Sequence, residues 1–208
     1  MITLPSWQNY RTRARNVLAS RVEVPMARLL VKLGFSPNRV TLAGLLLSGV
    51  TAYVLSTGQF AAGGLLLVVA SGLDMADGAI ARLQGKATPT GALMDSAADR
   101  VSEAVVFLGL VVFYVNPLSR PEVILIYVAL VGSFMVSYLR ARGEGLGVDC
   151  KVGLMTRPER VIVLAVGLII GQTTIALGII AVLASVTAFH RFWHIRKELS
   201  QRGGGAST

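Results

Sequence analysis

Asp74 and Asp77 stand three residues apart, and Asp95 and Asp99 four apart, in a stretch of small and apolar residues reading LDMADGAIARLQGKATPTGALMDSAADR over 73–100. On a helix either spacing projects both carboxylates from one face. The intervening QGKATPT is short enough to make the two helices antiparallel neighbours. Counted back from that loop the two pairs lie at similar depth, so four carboxylates converge. Such a concentration of negative charge needs cations. Hard divalent ions such as Mg²⁺ or Mn²⁺ match carboxylate oxygens, and two ions can be bridged by shared aspartates. No Cys or His lies near enough in sequence to suggest zinc.

The neighbouring small residues sharpen this chemistry. Gly78 falls one turn after Asp74 and Gly91 one turn before Asp95, so no side chain blocks the acidic face there. Ala81 keeps the same helix slim, and Arg82, two turns after Asp74, reaches the same side. Divalent ions, bare glycine surface and an arginine suit a polyphosphate group. Phosphoryl transfer uses such ions to neutralise phosphate and stabilise the leaving oxygen. Two other origins for the acids fail. A solvated face is inconsistent with the apolar flanks, and only Arg82 and Arg100 on these segments are available to pair with four aspartates. A carboxylate deep in lipid costs about 2.5 to 3.5 kcal/mol even on the lenient insertion scale, so a cluster of them requires a function.

Lipid is the expected surrounding because 53% of the 208 residues are hydrophobic and 15% charged, with mean hydropathy +0.64. Six segments are long enough to cross about 30 Å of hydrocarbon: 38–57, 60–84, 91–115, 121–143, 157–175 and 177–197. The gaps STGQFAAG and GQTTIA carry no charge, and NPLSRPE carries one arginine. Arg11, Arg13, Arg15, Lys86, Arg140, Arg142, Lys151, Arg157, Arg160, Arg196 and Lys197 fall in the other gaps and at the two ends. The positive-inside rule therefore puts both termini and the acidic cluster on the cytoplasmic side. The expected fold is an all-α integral membrane protein: residues 1–36 a juxtamembrane segment with an interfacial amphipathic helix that Pro25 can break, 37–198 a six-helix membrane domain, 199–208 a flexible tail. The formal net charge of +9 suits an anionic leaflet or a phosphorylated substrate. Hydropathy argues against nucleic acid. No internal repeat or second soluble domain is visible, and the arginine-rich start does not resemble a cleaved leader.

Asp74-x2-Asp77-Gly78-x2-Ala81-Arg82-x8-Gly91-x3-Asp95-x3-Asp99 resembles the signature of the CDP-alcohol phosphotransferase family, with every motif residue present. The resemblance extends to the six-span organisation. It implies a homodimeric enzyme of the cell membrane that moves a phosphatidyl group from a CDP-linked lipid, CDP-diacylglycerol, to an alcohol and releases CMP. By position, Asp74, Asp77 and Asp95 resemble the metal ligands, and Asp99 the general base that also touches metal. Gly78, Arg82 and Thr88 resemble contacts to the cytidine diphosphate. SPNRVT at the entry to the first span is similar to the family's nucleotide-side element, through Pro37, Asn38, Arg39 and Val40.

The acceptor must be read elsewhere. SYLRARGEGLGVDCKVGLMTRPER holds Arg140, Arg142, Lys151, Arg157 and Arg160, and Arg191 lies on the last span. Arg140 and Arg191 sit inside apolar helix ends and need partners. Converging arginines suit an acceptor bearing its own phosphate, and Arg140, Arg160 and Arg191 are the expected phosphate contacts. The same region resembles that of the bacterial phosphatidylinositol phosphate synthases of this family, which implies inositol 3-phosphate. Glycerol 3-phosphate, as in phosphatidylglycerophosphate synthases, is the alternative. A divalent cation transporter is the reading from another class, but transporters place their acids near the midplane and often in repeated halves. His190 and His194 read as interfacial residues beside Phe192 and Trp193 rather than a metal pair. Cys150, the only cysteine, reads as a bystander.

Overall fold

The computed structural model describes residues 21, 23–85, 88–116 and 118–204. Among these residues there are seven helices and no strand: α1 Val24–Lys32, α2 Pro37–Ser56, α3 Phe60–Leu83, α4 Pro89–Val115, α5 Arg120–Gly145, α6 Arg157–Ile169 and α7 Thr173–Gly204. The expected amphipathic stretch over 1–20 and Val22, the loop residues Lys86 and Ala87, and the last four residues of the tail lie outside the described residues.

Proline and hydroxyl residues set the helix starts. Pro25 occupies the first turn of α1, and Pro37 and Pro89 are the first residues of α2 and α4. There the missing N–H is one that no helix could satisfy. Thr88 caps α4 by accepting the Gly91 N–H at 3.0 Å. Thr156 and Glu159 form a capping box on α6, with Glu159 Oε2 accepting the Thr156 N–H at 3.0 Å, so two otherwise orphaned donors are satisfied together. Gly34, at φ +79°, stops α1 in the left-handed conformation that side chains resist. The Phe35 N–H then closes back on the Leu30 carbonyl at 3.0 Å.

Helices α2, α3, α5 and α7 are long and apolar enough to cross a membrane. Two expected spans differ in form. Helix α4 has the length, 27 residues, but carries Asp95, Asp99, Arg100 and Glu103. Helix α6 has only 13 residues, about 20 Å at 1.5 Å per residue, and ends well before residue 175. A turn at Ile170–Gly171, with Gly171 at φ +72°, separates it from α7. Helix α7 starts four residues earlier than expected and runs to Gly204.

The chain divides into two compact units, one of residues 1–47 and 69–102, the other of 48–68 and 103–208. In the first unit Ala27, Val40, Ala79 and Ile80 bury one another, joining α1, α2 and α3. The second has a larger core around Leu55, Phe107, Leu110, Ile126, Leu168, Leu177 and Ile180. Helix α7 packs chiefly on α5 and then on α6. Small residues permit the approach: a Cβ on Gly132 would lie 3.1 Å from that of Ala184, the kind of contact that holds helices together where lipid removes the hydrophobic drive.

Candidate active site

In the first unit, α3 carries Asp74 and Asp77 and α4 carries Asp95 and Asp99. Asp74, Asp95 and Asp99 each offer a carboxylate oxygen, and these oxygens lie within 4.8 Å of one another. Asp74 is buried and the other two are half-buried. Asp77, 3% exposed, is within electrostatic reach of Asp74 and Asp95. Its Oδ2 accepts a 2.6 Å hydrogen bond from Thr41 Oγ1 on α2. The four aspartates thus divide into a group of three and a fourth steered by a hydroxyl.

The donor set fits a hard divalent cation. All the oxygens are carboxylate, and no softer ligand joins them among the described residues. Opposed oxygens on one Mg²⁺ stand about 4.2 Å apart, twice a bond of roughly 2.1 Å. Adjacent oxygens on such an ion stand closer, about 3.0 Å apart, so the side chains of the three aspartates, whose oxygens lie within 4.8 Å of one another, draw in to hold it.

The predicted nucleotide-side residues have varied settings. Val40 is buried, Pro37 half-buried, and Asn38 and Arg39 exposed. Arg82 is largely exposed, with its Nη2 3.7 Å from Glu23 Oε2 at the start of α1. A Cβ on Gly78 would come 3.4 Å from Arg82 Nη1, so the bare surface expected at Gly78 lies against that guanidinium. Thr88 serves as the α4 cap.

The three predicted acceptor arginines lie in the second unit. Arg160, 2% exposed, makes a bidentate pair with Glu103: Nε donates to Oε1 at 2.7 Å and Nη2 to Oε2 at 2.8 Å. Arg191 is as deeply buried and donates from Nε to the Val152 carbonyl at 2.9 Å and from Nη1 to the Val136 carbonyl at 2.6 Å. These bonds tie the loop before α6 and the body of α5 to α7. Arg140 pairs with Glu144 one turn on, at 2.9 Å, with both half-exposed. His194 Nε2 is 3.2 Å from the Asp149 carbonyl, and Arg196 lies over the Trp193 ring at 5.0 Å, the setting of an interfacial aromatic. Cys150 is fully buried, and burial pushes its thiol up from the usual range.

Three participants escaped the reading of the sequence. Glu103 was discoverable, because an acid four residues after Asp99 in an apolar helix requires a cation. Thr41 closes the SPNRVT element, but nothing in the sequence pairs it with Asp77. Glu23 faces Arg82 only through the packing of α1.

Described residues that are helical without a strand, membrane-length apolar helices and a carboxylate centre suited to a hard cation define a membrane-embedded protein equipped for metal-assisted phosphate chemistry. Residues 35–196 match the CDP-alcohol phosphatidyltransferase family, and the chain belongs to it and is an enzyme of that class. An archaetidylinositol phosphate synthase of Pyrococcus horikoshii is 32% identical over 183 residues, 86% of this chain and 95% of that one. A phosphatidylinositol phosphate synthase of Mycobacteroides abscessus is 33% identical over 186 residues, 85% of this chain and 84% of that one. Two crystal structures of the Mycobacterium tuberculosis phosphatidylinositol phosphate synthase are similar at 31% identity. The one with CDP-DAG bound has a TM-score of 0.76 and covers 84% of this chain and 94% of its own. The one in complex with manganese and citrate has a TM-score of 0.77 and covers 84% and 88%.

Proposed function

We propose that this enzyme transfers the phosphatidyl group of CDP-diacylglycerol to a hydroxyl of inositol 3-phosphate, yielding phosphatidylinositol phosphate and CMP. The convergence of Asp74, Asp95 and Asp99 oxygens within 4.8 Å, in a chain similar to phosphatidylinositol phosphate synthases over most of its length, carries the reading. Asp74, Asp77, Asp95 and Asp99 hold Mg²⁺, or Mn²⁺ in its place, as two ions shared among the four carboxylates, a reading that their common donor chemistry supports. Bound metal neutralises the diphosphate so that CMP departs as a stabilised anion. Asp99 takes the proton from the attacking hydroxyl, a role open to a carboxylate kept ionised by neighbouring positive charge. Pro37, Asn38, Arg39, Val40, Gly78, Arg82 and Thr88 receive the cytidine diphosphate. Arg140, Arg160 and Arg191 receive the acceptor phosphate, for which Arg160 and Arg191 exchange part of their present bonds.

On this reading α4 and α6 also cross the bilayer, giving six spans in the cell membrane with both termini and the aspartates cytoplasmic, an N-terminal interfacial helix and a homodimer. The charge asymmetry of the loops supports the orientation. An acceptor panel with the purified enzyme, CDP-diacylglycerol and Mg²⁺ tests the assignment. CMP release is expected to be fastest with inositol 3-phosphate. Faster reaction with glycerol 3-phosphate or free inositol overturns the acceptor, and divalent cation flux without CMP release overturns the enzyme.

A further inference from the structure

We propose that Thr41 is a positioning residue of the carboxylate centre, acting through Asp77 and favouring small divalent ions over Ca²⁺. The inference rests on the reading of the aspartates as a metal centre. Thr41 is half-buried and belongs to none of the charged groups expected to do chemistry. Its Oγ1 stands 2.6 Å from Asp77 Oδ2 and 3.1 Å from the Pro37 carbonyl one turn back. A hydroxyl has one proton to donate. The shorter, charge-assisted contact to the carboxylate is the stronger claim on it.

The surrounding packing holds that hydroxyl where it is. Val40, 1% exposed, is buried with Ala27, Ala79 and Ile80, which fixes the first turn of α2 against α3 just beyond Asp77. One turn later Gly44 packs on α3, where a Cβ would make ordinary contact at 3.7 Å from the Ala70 carbonyl and 3.9 Å from the Asp74 nitrogen. The α2 face of Val40, Thr41 and Gly44 is thus laid along the α3 face bearing Asp74 and Asp77. That packing sets the Thr41 hydroxyl against Asp77.

The chemical consequence concerns denticity. Thr41 takes one of the two lone pairs on Oδ2 and fixes the plane of the carboxylate, which favours an ion held through Oδ1 alone over one held by both oxygens. Mg²⁺ and ions of its size demand near-octahedral geometry, whereas Ca²⁺ accepts bidentate carboxylates and higher coordination. Partners that orient a ligating carboxylate typically contribute 10–100-fold in metal affinity. Thr41 also couples the Pro37 turn to the centre, since both compete for the same hydroxyl.

The experiment measures Mn²⁺ binding to the purified full chain by electron paramagnetic resonance, without either substrate, with Ca²⁺ as competitor. Thr41→Val, which keeps the shape and removes the hydroxyl, is expected to weaken Mn²⁺ binding about tenfold and to let Ca²⁺ compete better. Thr41→Ser is expected to retain the parent affinity and selectivity. In an Asp77→Asn background Thr41→Val is expected to add nothing further. Unchanged binding in Thr41→Val, a Thr41→Ser as weak as Thr41→Val, or a full loss persisting in the Asp77→Asn background overturns the role of Thr41. Absence of Mn²⁺ binding by the parent protein overturns the metal centre itself and this proposal with it.

Discussion

Glu103 and Arg160 offer a sharp test of how charge is tolerated in this chain. Their side chains are 13% and 3% exposed, and both carboxylate oxygens are taken at 2.7 and 2.8 Å. Hydrogen bonds involving charge contribute about 1.5–3 kcal/mol each in water-soluble proteins, yet side-chain bonds within membranes average only about 0.6 kcal/mol, because the unfolded chain in lipid also finds partners. The lost bonds are therefore the smaller effect. Removing one partner also leaves an uncompensated buried charge, which raises the cost to about 3–5 kcal/mol. Glu103→Leu is expected to destabilise by about that amount, and Arg160→Met by a similar amount. The double variant is expected to be less destabilised than either single one, since no orphan charge remains, giving a coupling energy of about 3 kcal/mol or more. Unfolding of the purified protein by SDS in mixed micelles, followed by circular dichroism, measures all four states of the cycle. Additive losses, or a Glu103→Leu variant as stable as the parent, would refute the reasoning. Stability is the proper readout because Arg160 is also assigned to the acceptor.

Asp99→Asn is expected to abolish CMP release while sparing CDP-diacylglycerol binding, measured side by side on the same preparation; normal turnover would remove Asp99 from the role of base. Gly109→Ala should prevent α2 and α4 from packing within the second unit, because the new Cβ would lie 2.3 Å from the Ala52 carbonyl oxygen and 2.6 Å from its Cα. Backbone cannot rotate aside, so the loss is expected at or above the roughly 1–3 kcal/mol of ordinary overpacking, read as a lower midpoint in the same SDS titration. Cys150, buried and with its thiol pushed up, is expected to stay protonated at neutral pH and resist maleimide until the protein unfolds. Rapid labelling of the folded protein would contradict its placement.

Much of the site was legible because the chemistry is local. The i, i+3 spacing of Asp74 and Asp77, the i, i+4 spacing of Asp95 and Asp99, and the short loop between them require only helix geometry to bring carboxylates together. The helix starts were equally legible, since Pro37, Pro89 and Thr88 act within one turn. The bounds of the later spans were less so. Only the four residues Gly171–Thr174 interrupt the apolar run between Ile170 and Ile175, and the left-handed backbone at Gly171 is what sets the end of α6. The arginines were the hardest. Topogenic charge, a structural ion pair and a phosphate ligand all look the same in a list of residues.

The amino-acid sequence by itself determined a helical membrane chain with four acids placed to gather hard cations, because periodicity, hydropathy and charge are properties of neighbours along the chain. Tertiary structure alone decided that Asp77 answers to Thr41, that Glu103 claims Arg160 and that Arg191 binds the Val136 and Val152 carbonyls. Those partners lie 36, 57, 55 and 39 residues apart. Which donor meets which acceptor at such separations depends on how helices pack, and packing is a property of the folded chain.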